Sequence, residues 1–435
     1  MSSRIIITIG LAVLLAGCAG IDRRAVYDVR SFGAKGDGIS KDTAAIQAAI
    51  DAAGVFGGEV LVPAGRYVTG TLYLRSNVDF NVGAGAVIEA SKDRADYNAW
   101  DFCPQNNRSQ AENHEGGHLF VCLEQTNVVL RGAGRIDGNG RHFLTYGYDP
   151  KRVGRTGKNS LGGVNCQDAI LWRPAQMIWF CESENVRLEG LRLENAPYWT
   201  VLLHGCTHVR AHGLTIRSSR ADPYVHNGDG LNIDCCRHVL VSDCDINTSD
   251  DSLCLRAAGK RLLRAPAETA YVTVANCNLS SRQEAVRIGV GEGSIHDCVF
   301  SNLNIYDSVR GINLSSTWFE SRGVDFENIR FDNITTHTSS SFLRVHRLKC
   351  ADANIREIHV SNVSGTQGER SYIWSRKGKP FEKISLQNVN LNNGIEVVNV
   401  DGFGLAGGTL ERIGLSPEEY EQRSRDIESY SKMLY

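Results

Sequence analysis

The sequence predicts an all-β chain, a single right-handed parallel β-helix (a solenoid) with a capping helix at its N-terminal end and a further helix at its C-terminus. Three observations carry this. One strand-and-bend pattern returns eight times between residues 186 and 391. Gly is abundant at 44 and Pro scarce at 9, with 22% charged residues, the composition of a turn-rich β protein. No helical stretch long enough for an α/β crossover separates the repeats.

The repeating unit reads apolar, any, apolar, any, Gly/Asn/Asp, apolar or Cys, any, apolar. It fits residues 186–193, 209–216, 239–246, 272–279, 298–305, 324–331, 358–365 and 384–391. The fifth place holds Gly190, Gly213, Asp243, Asn276, Asn302, Asn328, Asn362 and Asn388 in turn. Successive starts lie 23, 30, 33, 26, 26, 34 and 26 residues apart. Alternation with period two marks a half-buried strand, and Gly, Asn and Asp tolerate the left-handed backbone of a sharp bend. An antiparallel sandwich would instead show hairpin turns every 8–12 residues or so. Units that stack on one another make a solenoid. The same phase sets Cys244 and Cys277 at the sixth place of adjacent units, roughly 4.8 Å apart.

The ends read differently. Residues 1–18 form a lipoprotein signal peptide: Arg4, an apolar stretch from Ile5 to Ala16, then Leu15-Ala16-Gly17-Cys18, which resembles a bacterial lipobox lipidated at Cys18. The β-helix domain is expected over 27–410. Asp42 is an N-cap acid before a helical segment that covers the open first coil. Ser416-Pro417-Glu418-Glu419 is a capping box opening a C-terminal helix over 416–434. The stretches 93–118 and 144–172 break the repeat and are read as long loops.

Composition narrows the partners. Lys plus Arg total 47 against 49 Asp plus Glu, a balance that does not point to nucleic acid. No later segment is apolar enough to span a bilayer, so membrane contact is expected through the lipid alone, at the bacterial cell envelope, with the chain a monomer. Twelve of the 13 cysteines remain after Cys18, none with zinc spacing, so a structural zinc site is not expected; no cofactor is expected either. Disulfides such as Cys235–Cys236, or between neighbouring turns, and thiols buried as small hydrophobes are both open.

Two acidic turns carry the candidate chemistry. Asn227-Gly228-Asp229-Gly230 precedes one strand and Thr248-Ser249-Asp250-Asp251 the next, and Asp229 lies 21 residues from Asp250, close to one coil. Carboxyls that close repel, so one should keep its proton. Glycosidic cleavage needs such a set: an acid to protonate the leaving oxygen and a carboxylate for water or sugar.

The Asn-x-Asp-Gly at Asn227 to Gly230, followed by Asp250-Asp251, resembles the signature of family 28 glycoside hydrolases, the polygalacturonase and rhamnogalacturonase family. Arg173-Pro174 with Ile178-Trp179-Phe180, and Asn195-Ala196-Pro197-Tyr198-Trp199, are further matches, and the resemblance covers residues 27–400. It implies an inverting, metal-independent hydrolase with Asp250 as general acid, Asp229 and Asp251 holding the attacking water, and Asn227 orienting the site. The chain departs from the pattern twice. Gln283-Glu284-Ala285 stands where polygalacturonases carry Gly-His-Gly, and Asn313-Leu314-Ser315 where they carry Arg-Ile-Lys. The usual carboxylate clamp is therefore absent, which favours a rhamnogalacturonan-type or exo-acting enzyme over a plain endopolygalacturonase. Arg256, Arg287 and Arg310 follow the acidic turns on successive coils as a possible cation column for substrate, and Glu284 is a candidate sugar contact or further acid. A lyase or epimerase on the same fold and a non-catalytic glycan-binding β-helix are the alternatives.

Overall fold

The computed structural model describes residues 25–109, 114–146, 172–218, 220, 225, 227–316, 323–347, 352–375 and 378–432. Cys18 and most of the stretch 144–172 lie outside the described residues. The chain is a right-handed parallel β-helix. One wall is a twelve-stranded sheet in chain order from Leu72–Tyr73 to Arg412–Ile413, and the other walls merge into a 21-stranded sheet. Its ladders are parallel and mostly in strict register, as at Val186↔Val209, Val209↔Val239 and Val272↔Cys298.

The fifth place of the repeat marks a real bend. Asn276, Asn302, Asn333, Asn362 and Asn388 all adopt a positive φ between 52° and 57°. Their amides also hydrogen-bond along the stack, Asn302 to Asn276 at 3.0 Å and Asn333 to Asn302 at 2.7 Å. Asn therefore serves twice, by tolerating left-handed backbone and by bonding to the next coil. A second ladder at the preceding bend runs through Asn77, Asn127 and Asn185, with amide bonds of 2.9 and 2.6 Å.

One unit is displaced. Cys298 faces Ile329, not Val324, so the repeat read at 324–331 begins five residues late, at 329. The reason is physical: both bends use a left-handed Asn with apolar flanks, and Asn328 belongs to one ladder and Asn333 to the other.

Inward residues form one continuous core, with Phe300 and Phe331 stacked at 4.7 Å. Cys244 and Cys277 stand on adjacent rungs, and Cys206 N lies 3.3 Å from Cys236 Sγ. All ten described cysteines are free thiols, nine of them buried, which removes the Cys235–Cys236 bridge and favours packing.

The helix Thr43–Phe56 buries Ile46, Ala49, Ile50 and Ala53 over the first coil. Asp42 sits at its N-cap position without capping it. Its carboxylate accepts from Lys35 N at 2.7 Å and Gly36 N at 3.0 Å, fastening the preceding glycine turn instead. At the far end the capping box forms: Glu419 N donates to Ser416 Oγ at 3.2 Å and Ser416 N to Glu419 Oε2 at 2.8 Å. The helix Pro417–Lys432 then leans on the twelve-stranded wall through Tyr420 against Trp374 and Arg423 on Glu396. A short helix, Gly140–Tyr146, has no counterpart in the sequence reading.

Candidate active site

The acidic turns feed strands Leu231–Asp234 and Leu253–Ala257 of the twelve-stranded wall. Leu231 faces Leu253, and Gly230 N donates to Asp251 O at 2.9 Å, so Asp229 and Asp251 hold one register position. The frame continues onto the next coils. Leu253 faces Val286, Ser252 N donates to Glu284 O at 3.0 Å, and Glu284 faces Arg310. Asp229, Asp251, Glu284 and Arg310 thus form one column over four coils, at the inter-strand spacing of about 4.8 Å.

Small residues let these turns meet. A Cβ on Gly230 would lie 2.4 Å from Ser252 O, and one on Gly228 would lie 2.2 Å from Ser249 Oγ. Serines then pin the loop: Ser218 Oγ donates to Gly228 O at 2.8 Å and Ser249 Oγ to Val225 O at 2.6 Å. Asp250 is fixed through its backbone, its carbonyl accepting from Thr248 Oγ1 at 2.6 Å and Ser281 Oγ at 2.7 Å. Its half-buried carboxyl accepts from Asp251 N at 3.0 Å.

Adjacent ionised carboxylates at rung spacing repel by roughly 3 kcal/mol at the effective dielectric of such sites. The surroundings decide where the charge goes. Glu284, 1% exposed, accepts from Arg310 Nη1 at 2.9 Å and Asn313 Nδ2 at 3.0 Å. Burial alone would raise its pKa, but Arg310 and Arg287 outweigh burial and hold it at about 2. Asp251 is buried with Arg287 Nη1 3.5 Å away. Burial first, then the Glu284 charge, push its pKa well above the ordinary carboxylate range, against the pull of Arg287. A protonated carboxyl beside an ionised one is the pairing that acid–base chemistry requires.

The other candidate residues fall into two groups. Asn227, at φ 53°, is held by the fully buried Arg173, whose Nη2 donates to its Oδ1 at 3.0 Å. Arg310 belongs to the acidic column, and Arg287 reaches it from a neighbouring register position at Asp251. Arg256 does not, because it faces Asp234 on the previous coil, with Nε 3.6 Å from that carboxylate and its guanidinium 4.5 Å over the Trp199 ring. Arg287 faces Cys254 and Asn313, while Arg310 faces Glu284. The three arginines therefore occupy different register positions and make no column of their own.

Sequence reasoning missed Asn232, whose Nδ2 lies 3.2 Å from Asp229 Oδ2, and His346, which meets Asn313 Oδ1 at 3.2 Å. Burial lowers the His346 pKa to about 3, so it stands neutral. The available signal was polar residues at alternate places of otherwise apolar strands, such as Asn232, Arg287 and Asn313. These places align across the wall.

The family model for glycosyl hydrolases family 28 matches residues 59–403, both acidic turns included. The chain belongs to this family. It is 25% identical over 379 residues to polygalacturonase QRT2 of Arabidopsis thaliana, covering 84% of this chain and 77% of that one. It is 24% identical over 253 residues to an exo-poly-alpha-D-galacturonosidase of Dickeya chrysanthemi, covering 52% of this chain and 41% of that one. The fold is similar to that of a hyperthermoactive exopolygalacturonase from Thermotoga maritima, with a TM-score of 0.66 and 20% identity over 89% of this chain and 90% of that one.

Proposed function

We propose that the chain is an inverting glycoside hydrolase acting on a pectic or related acidic polysaccharide or its oligosaccharides. The observation that carries this reading is the meeting of Asp229, Asp250 and Asp251 on neighbouring coils of a family 28 chain. In this reading Asp250 protonates the leaving oxygen, Asp229 and Asp251 hold the attacking water, and Asn227 orients the site. Inversion asks for acid and base roughly 6.5–9.5 Å apart, with water between them.

Similarity to polygalacturonases supports a galacturonate-containing substrate. Glu284 and Asn313, in place of the expected His and Arg, favour a rhamnogalacturonan-type or exo-acting specificity. Arg256, stacked on Trp199 and beside Asp234, stands outside the acidic column and is our candidate contact for a sugar carboxylate. The lipobox supports a lipid anchor at Cys18 and a place at the bacterial cell envelope; we read the chain separately as a monomer, and Cys18→Ser should move it from the membrane to the soluble fraction.

The test is a panel of pectic and algal polysaccharides with the product anomer followed by NMR. Asp250→Asn should lose about a hundredfold to ten-thousandfold in hydrolysis, the usual worth of a general acid, with an unchanged circular dichroism spectrum. Full activity in that variant, or an unsaturated product absorbing in the near ultraviolet, would overturn the assignment.

A further inference from the structure

Glu284 is a carboxylate the proposed reaction does not use. It lies 33 residues beyond Asp251 in sequence yet one rung away, because Ser252 N donates to its carbonyl oxygen. Burial keeps it from sugar: with 1% exposure, its Oε1 already takes Arg310 and Asn313. Its backbone N–H also points to Asp251 Oδ1 at 3.4 Å. The groups facing Asp251 are Asp229 from the previous coil, Asp250 beside it, and Glu284 and Arg287 from the next. Arg310 and Arg344 face Glu284 from beyond, and His346, neutral, meets it through Asn313. Four carboxyls thus share a site in which, among the described residues, Arg310 Nη1 stands 2.9 Å from Glu284 while Arg287 Nη1 stands 3.5 Å from Asp251.

We propose that Glu284 is a positioning residue: a permanently ionised carboxylate, clamped by Arg310 and Asn313, that keeps the site's proton on Asp251. This rests on the hydrolytic reading for its kinetic consequence, and it changes what Asp251 is at rest. Asp251 holds a proton that the Glu284 charge stabilises, and it can return that proton within the Asp250–Asp251 pair. Asp229, beside Asn232 at the other end of the carboxyl column, is then the carboxyl left to take a proton from water. The residue therefore acts on the basic limb of the pH–rate profile. A like charge one rung away favours the protonated form of its neighbour.

Two measurements test this. Infrared difference spectroscopy of the intact protein at neutral pH should show a protonated carboxyl band that Asp251→Asn removes and Glu284→Gln weakens. This arm needs no turnover, so it stands even if hydrolysis is not the activity. On whichever substrate the panel identifies, Glu284→Gln should move the basic limb of kcat/KM about one to two units lower with KM little changed, while Glu284→Asp keeps it in place. Wild-type protein without a protonated carboxyl at neutral pH, or a Glu284→Gln variant with raised KM and an unmoved pH profile, would overturn the proposal. The second outcome would make Glu284 a sugar ligand.

Discussion

Arg310→Met is the perturbation whose size the structure states most directly. The Arg310–Glu284 pair is closed at 2.9 Å, with 11% and 2% of the two side chains exposed. Removing the guanidinium leaves an ionised carboxylate in the wall of the solenoid, held by Asn313 Nδ2 at 3.0 Å. Breaking a buried pair from one side costs about 3–5 kcal/mol, far more than the pair contributes against a well-packed apolar substitute. Glu284→Gln should cost less, about 1–3 kcal/mol, because Arg310 Nη1 keeps Gln283 Oε1 at 3.0 Å. The double variant should lose clearly less than the sum, with a coupling of at least about 1 kcal/mol. The pH dependence follows from Glu284, whose folded value of about 2 lies below its ordinary 4.5. Its contribution is present above the ordinary value and lost as pH falls through the folded one. The Arg310→Met deficit, measured by denaturant unfolding, should therefore be largest at neutral pH and shrink toward pH 3 or so. Strict additivity of the two changes, or a deficit equal at both pH values, would refute the ion-pair reasoning.

Asp251 makes the opposite case. Its folded pKa is raised, so its contribution is complete below the ordinary carboxylate value and lost as pH rises through the folded one. Asp251→Asn should therefore raise stability at neutral pH by about 1–2 kcal/mol while hydrolysis falls, with thermal melts at pH 7 and 3 as the check. Phe331→Ala should cost about 3–5 kcal/mol, because the ring is fully buried and stacked on Phe300 at 4.7 Å. Calorimetry reads this, and a loss below about 1 kcal/mol would mean the core closes over the gap.

Much of the molecule is written locally. The period-two strands and their left-handed Asn, Asp and Gly bends specify a coil, and a coil that cannot bury its apolar face alone must stack. The capping box at Ser416 and Glu419 forms as four adjacent residues require. The two acidic turns are legible because a single coil without a long insertion separates them. Asp42 is the local exception, since a turn six and seven residues upstream competes for the carboxylate that the helix would use.

What the sequence by itself determined is the solenoid, its phase at seven of eight units, and the meeting of Asp229 with Asp250 and Asp251. The tertiary structure decided the eighth unit, the separation of Arg256 from Arg287 and Arg310, and the partnership of Glu284 with Arg310 beside Asp251. The reason is register. In a β-helix the neighbours that set a side chain's charge lie one coil away, and here the coils joining the column measure 22, 33 and 26 residues. The loops absorb those differences, and only the hydrogen-bonded ladder states which residue faces which.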